Sequence, residues 1–185
     1  MTPSSIGLLL VITFLFWRLF KVIGREEKTK TAINILPSTQ EALSLKNKSE
    51  RELSDSEMAL LGKMVFFKVS SSFANGDIKV LQELLAPDVF ETFKKQIEER
   101  QLKKNILDFM LICFSSVKVL RRDKEKNSFL MEFVTEQVNV LKDSAGTVLE
   151  GDPMMVQSIK DIWSFKFSDR GTFVVAATKS EAFHA

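Results

Sequence analysis

The chain has no tyrosine, one cysteine, one histidine, seven glycines and four prolines among its 185 residues. A single cysteine excludes a disulfide framework within the chain, so folding has to rest on packing. Cys113 lies in the apolar run Met110-Leu111-Ile112-Cys113-Phe114, the setting of a buried thiol in a reducing compartment. The only histidine, His184, stands one residue from the end, where a frayed tail is expected and not an acid–base site. No glycine-rich phosphate loop is present, and Cys and His form no cluster able to hold a transition metal. No cofactor and no metal are expected. An excess of charge is missing too. Twenty-six Lys and Arg face 24 Asp and Glu, a net charge of +2, which offers nucleic acid no electrostatic footprint.

What the chain does have is a concentrated apolar start and sixteen phenylalanines with two tryptophans. Residues 1–23 are predicted to be a membrane anchor. Its apolar side chains are Ile6, Leu8, Leu9, Leu10, Val11, Ile12, Phe14, Leu15, Phe16, Trp17, Leu19 and Phe20. From Ser5 to Ile23 the stretch has about the length of a single span, with Arg18 and Lys21 snorkelling to the interface. No basic residue precedes it, whereas Arg18, Lys21 and Arg25 follow and suit lipid headgroups. By the positive-inside rule the N-terminus is then outside and the rest of the chain cytoplasmic. A mitochondrial transit peptide is Arg-rich and amphipathic from its start, so a bacterial inner membrane is favoured over the matrix side of a mitochondrial one. Residues 24–53, polar and broken by Pro37, read as a tether.

Residues 54–185 read as one α+β domain. Ser54-Asp55-Ser56-Glu57 forms a capping box for a helix with Met58, Leu61, Val65, Val69 and Phe73 on one face. A second apolar set, Leu60, Met64 and Phe67, is surplus to that face and is the candidate partner-binding surface. Gly76 stops the helix and Asp77 caps the next, Ile78 to Leu85. Pro87 opens a third helix with Phe90, Phe93 and Ile97 on one side, and Lys94, Lys95, Glu98, Glu99 and Arg100 as a solvated surface. Strands follow. Leu107 to Leu120 is apolar on both faces, and Phe129, Met131 and Phe133 alternate before the phase changes to Val134, Val138 and Val140. That change predicts a bulge or bend near Thr135 to Gln137. Asp143-Ser144-Ala145-Gly146 and Ser168-Asp169-Arg170-Gly171 read as turns. Ile159, Asp161, Trp163, Phe165 and Phe167 share a strand face.

The spacing of Gln137, Asp143, Gly146, Glu150, Gly151, Asp152, Asp161 and Trp163 carries a family signature. Together with Phe73-Ala74-Asn75-Gly76-Asp77 and the apolar positions up to Arg100, it resembles the membrane-associated domain of the mitochondrial import-motor adaptor. That adaptor is the forty-four-kilodalton subunit of the inner-membrane translocase, and it has bacterial relatives. The resemblance implies a cone-like fold, as in nuclear transport factor two, with three helices packed on a bent antiparallel sheet. It also implies a non-enzymatic adaptor or scaffold that binds membrane lipids and proteins of the translocation or insertion machinery. The surplus face of Leu60, Met64 and Phe67 equally suits a second copy of the chain in a homo-oligomer.

Two other readings use the same residues. Asp161, an acid beside apolar Ile159 and Trp163, is the one candidate for a pocket base in a ligand-binding or enzymatic cone fold. Its ordinary role is to accept hydrogen bonds from backbone or from the tryptophan N–H. Glu136 and Gln137 read as pocket polars or as edge residues. Glu150-Gly151-Asp152-Pro153 lacks the alternating ligands of a calcium loop and reads as a turn. The other reading is a periplasmic scaffold of a secretion channel, which requires the opposite topology.

Overall fold

A computed structural model of the chain describes residues 53–167 and 173–182. Three helices, α1 (Asp55–Asn75), α2 (Ile78–Leu84) and α3 (Pro87–Leu102), precede five strands. These are β1 (Ile106–Asp123), β2 (Ser128–Lys142), β3 (Val148–Glu150), β4 (Gln157–Phe167) and β5 (Phe173–Ala182). The sheet is antiparallel in the order β1-β2-β4-β5, with β3 added to β2 where β4 stops. The predicted anchor lies outside the described residues. Among the described residues, no helix is long and apolar enough to cross a membrane. The predicted tether, up to its last residue, and the turn at Ser168-Asp169-Arg170-Gly171 also lie outside them.

Local signals set the helix ends. Ser54 accepts from the Glu57 amide while the Glu57 carboxylate accepts from the Ser54 amide at 2.8 Å, a reciprocal capping box. Gly76 ends α1 at φ +72°, a conformation that L side chains adopt at a cost, and Asp77 accepts from the Val80 amide to start α2. Leu53, which the sequence reading leaves in the tether, is buried in the core, and Arg122 donates to its carbonyl at 2.9 Å.

The buried face of α1 is rotated from the predicted stripe. Met58, Gly62, Phe66, Val69 and Ser72 face the sheet, while Leu61, Val65 and Phe73 pack at its margins. The reason is close approach. A Cβ on Gly62 would stand 2.5 Å from the Met131 Cε and 3.3 Å from the Phe133 ring, so this turn of helix lies directly on β2. One turn on, the Phe66 ring packs 4.9 Å from Phe133, 4.7 Å from Trp163 and 5.6 Å from Phe114. Burying such a ring stabilises the fold by roughly 1.5–3 kcal/mol.

Arg100 is also turned from where the sequence reading puts it. Instead of joining a solvated face, it donates to the carbonyls of Phe73 and Ala74, at 2.6 and 2.9 Å. Its guanidinium also lies 5.0 Å from the Phe73 ring centre. It thereby adds a partner to two carbonyls at the end of α1, where helical bonding runs out, and ties α3 to it. Burial lowers its pKa.

The register is regular between β2 and β4 and irregular in the pairings of the outer strands. β2 and β4 pair without interruption from Ser128 opposite Lys166 to Gln137 opposite Gln157. No bulge interrupts β2 at Thr135 to Gln137. Across from that stretch β1 carries the extra residues Ile112 and Ser115; farther along it carries Leu120, and β5 carries Ala176 opposite β4. The predicted change of phase comes later than expected: Thr135 and Gln137 point inward although polar, so the buried alternation runs on from Phe129 to Gln137 and shifts parity only at Val140, which is 2% exposed. Extra residues of this kind bend and twist the strand that carries them.

Candidate functional site

Most of the signature residues build the frame. The Asp143 carboxylate accepts from the amides of Ala145 and Thr147 at 2.8 and 2.9 Å, and Gly146 follows at φ +86°. The Thr147 amide is the leading cause that holds the Asp143 pKa below its ordinary value. Gly151 sits at φ +85° with the Asn139 carbonyl where a Cβ would be, 2.2 Å away, so no other residue fits without moving backbone. Asp152 accepts from the Met154 amide at 2.8 Å. Glu150-Gly151-Asp152-Pro153 is thus a turn with its carboxylate spent on its own loop. Gln137 is buried on the inner face of β2, between Leu111 of β1 and Gln157 of β4.

Asp161 and Trp163 are buried side by side on the inner face of β4. Desolvation lifts the Asp161 carboxyl to about 6, against opposing hydrogen bonds from the Ser180 hydroxyl and the Trp163 side chain. Trp163 can only donate, so its indole N–H points at the carboxyl while its ring joins the aromatic core. Nothing titratable faces Asp161 in the register: its partners are Phe133 on β2 and Ser180 on β5. Among the described residues, no three His, Cys, Asp or Glu side chains stand close enough to hold a metal ion.

The surfaces able to meet a partner are apolar. Of the surplus set on α1, Leu60 and Phe67 lean half-buried against the core and Met64 is half-buried beside them. A second apolar surface, missed by reading the sequence, lies where β1 begins. Ile106 and Met110 of β1 and Val148 of β3 are exposed on the outer face of the sheet, in one patch with Val138 and the Lys142–Asp108 pair. The exposed tip Met154 and Val156 follow Gly151 in the loop before β4. Farther along, the same outer face is charged. Lys160 and Lys118 approach Glu132 at 3.1 and 4.0 Å. The signal available in the sequence was the alternation Ile106, Asp108, Met110, which sets one apolar edge apart from the inward Leu107, Phe109 and Leu111.

The chain, with three helices placed before an antiparallel sheet, matches the model of the Tim44-like domain over residues 40–172. The chain belongs to the Tim44-like domain family. The family is one of membrane-associated scaffolds and adaptors. Among solved structures, the chain is similar to the intermembrane space region of the chloroplast protein ARC6. The TM-score is 0.56 at 16% identity, covering 68% of this chain and 97% of that one. That likeness shows a shared fold. A de novo designed β-sheet protein solved by solution NMR has a TM-score of 0.38 at 12% identity, covering 70% of this chain and 92% of that one. No curated protein matches the chain. The Tim44-like match begins ahead of the first described residue, so the family domain takes in part of the segment read as tether.

Proposed function

We propose that the chain is a non-enzymatic adaptor of a bacterial inner membrane. Its Tim44-like domain, a cone-like sheet of the nuclear-transport-factor-two kind, faces the cytoplasm. It assists protein translocation or membrane insertion by holding partner proteins and lipid near the membrane. The observation that carries this reading is the Tim44-like domain itself, which takes up most of the chain behind an apolar N-terminal segment followed by Arg18, Lys21 and Arg25. An anchor raises the effective concentration of a domain near membrane-bound partners, so contacts that are weak in solution suffice. The α1 surface of Leu60, Met64 and Phe67 is one place for such a contact.

The test is capture of neighbours in native membranes by a photoreactive residue at Met64. Adducts to translocation or insertion proteins, or to their clients, are expected. Adducts to lipid alone, or to periplasmic channel subunits, would contradict the reading. A second reading, a pocket that uses Asp161, draws on the raised pKa of that buried carboxyl. An Asp161→Asn variant that folds and supports membrane insertion as well as the parent would remove it.

A further inference from the structure

The start of β1 differs from the rest of the sheet's margin. From Ile112 onward, bulges at Ile112, Ser115 and Leu120 interrupt β1, and Lys118, Arg121 and Arg122 add charge. Bulges and basic side chains are what natural sheets use to stop an edge from pairing. Ile106 to Leu111 has neither. Its pairing with β2 is regular from Lys142 to Gln137, and among the described residues no strand lies on its other side. Its one charge, Asp108, is held by Lys142 at 2.5 Å, and its outer face shows Ile106 at 53% and Met110 at 60% exposure.

We infer that the Ile106–Leu111 edge takes an extended apolar segment of a client polypeptide as an added strand. The outward amides and carbonyls of an edge strand recognise another backbone, which a lipid chain does not supply. A segment added here would set side chains beside Ile106 and Met110 on one face and beside Leu107 and Phe109 on the other, so apolar residues at successive positions suit it. A second copy fits poorly. The regular stretch is about one ordinary strand long, roughly 17–20 Å, and bulges end it. Two such edges would bury far less than the roughly 1,200–2,000 Å² of a stable dimer. The class of occupant rests on the adaptor reading, since clients in transit are unfolded; the place and the mode of binding are new to it.

The test uses the full chain in lipid nanodiscs and a fluorescein-labelled peptide, Lys-Leu-Val-Ile-Thr-Val-Leu-Lys, beside the same peptide N-methylated at alternate residues. N-methylation removes backbone donors and leaves the side chains. N-methylation is expected to weaken binding by about tenfold, the effect of one or two backbone hydrogen bonds. Met110→Lys is expected to weaken it by a similar factor, because it sets a charge against the apolar side chains of the added strand. Leu120→Lys, on the same strand beyond the bulges, is expected to leave binding within about twofold of the parent, as for surface changes away from a contact. Equal binding of the two peptides overturns the inference, and so does binding that Met110→Lys leaves unchanged. A silent peptide combined with vesicle binding that Met110→Lys abolishes would assign the surface to lipid. A silent peptide with a dimer split by the same variant would assign it to a second copy. If Met64 captures translocation proteins while the peptide stays silent, this inference falls and the adaptor reading stands.

Discussion

At Val175 the β5 margin of the sheet is met by the link between α2 and α3, whereas among the described residues no strand or bridge lies beside β1 from Ile106 to Leu111. The Ala86 amide donates to the Val175 carbonyl at 2.8 Å, and Leu85 pairs with Val175 as a parallel bridge. Leu85 and Val175 are both buried in the core. The link between α2 and α3 therefore serves as a short substitute strand. Among the described residues, β1 carries bulges and charge from Ile112 onward and neither bulge nor basic side chain from Ile106 to Leu111. Edges of this kind are an aggregation hazard.

Breaking the closed edge is expected to have the largest effect. Leu85→Ala removes a buried side chain that joins α2 to β5, and a loss of about 2–5 kcal/mol in urea unfolding is expected. A loss near zero would mean that the link merely lies against β5. Ala86→Pro is a finer cut. Ala86 has φ −65° and ψ 153°, which proline adopts without strain, so the change removes chiefly the N–H and leaves the buried Val175 carbonyl unpaired. The same unfolding measurement should show a loss of about 1–3 kcal/mol. Unchanged stability would show that this hydrogen bond is dispensable.

The seam between β4 and β5 adds a pH dependence through Asp161 and Ser180. The folded-state pKa of Asp161, about 6, lies above the ordinary 3.8, so the folded protein binds the proton more tightly than the unfolded chain. Stability from this group is therefore present at low pH and is lost as pH rises from about 4 to about 6. Asp161→Asn keeps an acceptor for Ser180 and Trp163 without the buried charge. Its Tm should exceed that of the parent at about pH 8 and match it near pH 4. A pH-independent difference would contradict this. At the open edge the effect on folding should be smallest. Met110→Lys is expected to stay within about 0.5 kcal/mol of the parent, because an exposed edge side chain supports no packing. A larger loss would mean that the β1 edge is covered after all.

Local chemistry was readable and long-range geometry was not. The Ser54–Glu57 capping box, the Gly76–Asp77 break, the Asp143–Gly146 turn and the alternation along β4 each depend on neighbouring residues, and each is visible in the sequence. The buried face of α1 was not. That helix carries apolar residues on several sides, and only the fit of Gly62 over Met131 and Phe133 decides that Phe66 points inward. Arg100 reads as one surface charge among five until α1 ends beside it. Thr135 and Gln137 look like outward residues by polarity, and their inward placement delays the change of phase to Val140. The open edge was equally hidden, because strand order and bulge positions do not follow from the composition of any one strand.

The most direct measurement is disulfide capture of a ribosome-arrested client membrane protein with one cysteine in its apolar segment. The capturing cysteine replaces Met110, or Leu120 as the comparison, in a Cys113→Ser background and native membranes. Capture from position 110 and little from position 120 is the expected result. Equal capture from both positions, or none from 110, would contradict a client held on the open edge of β1.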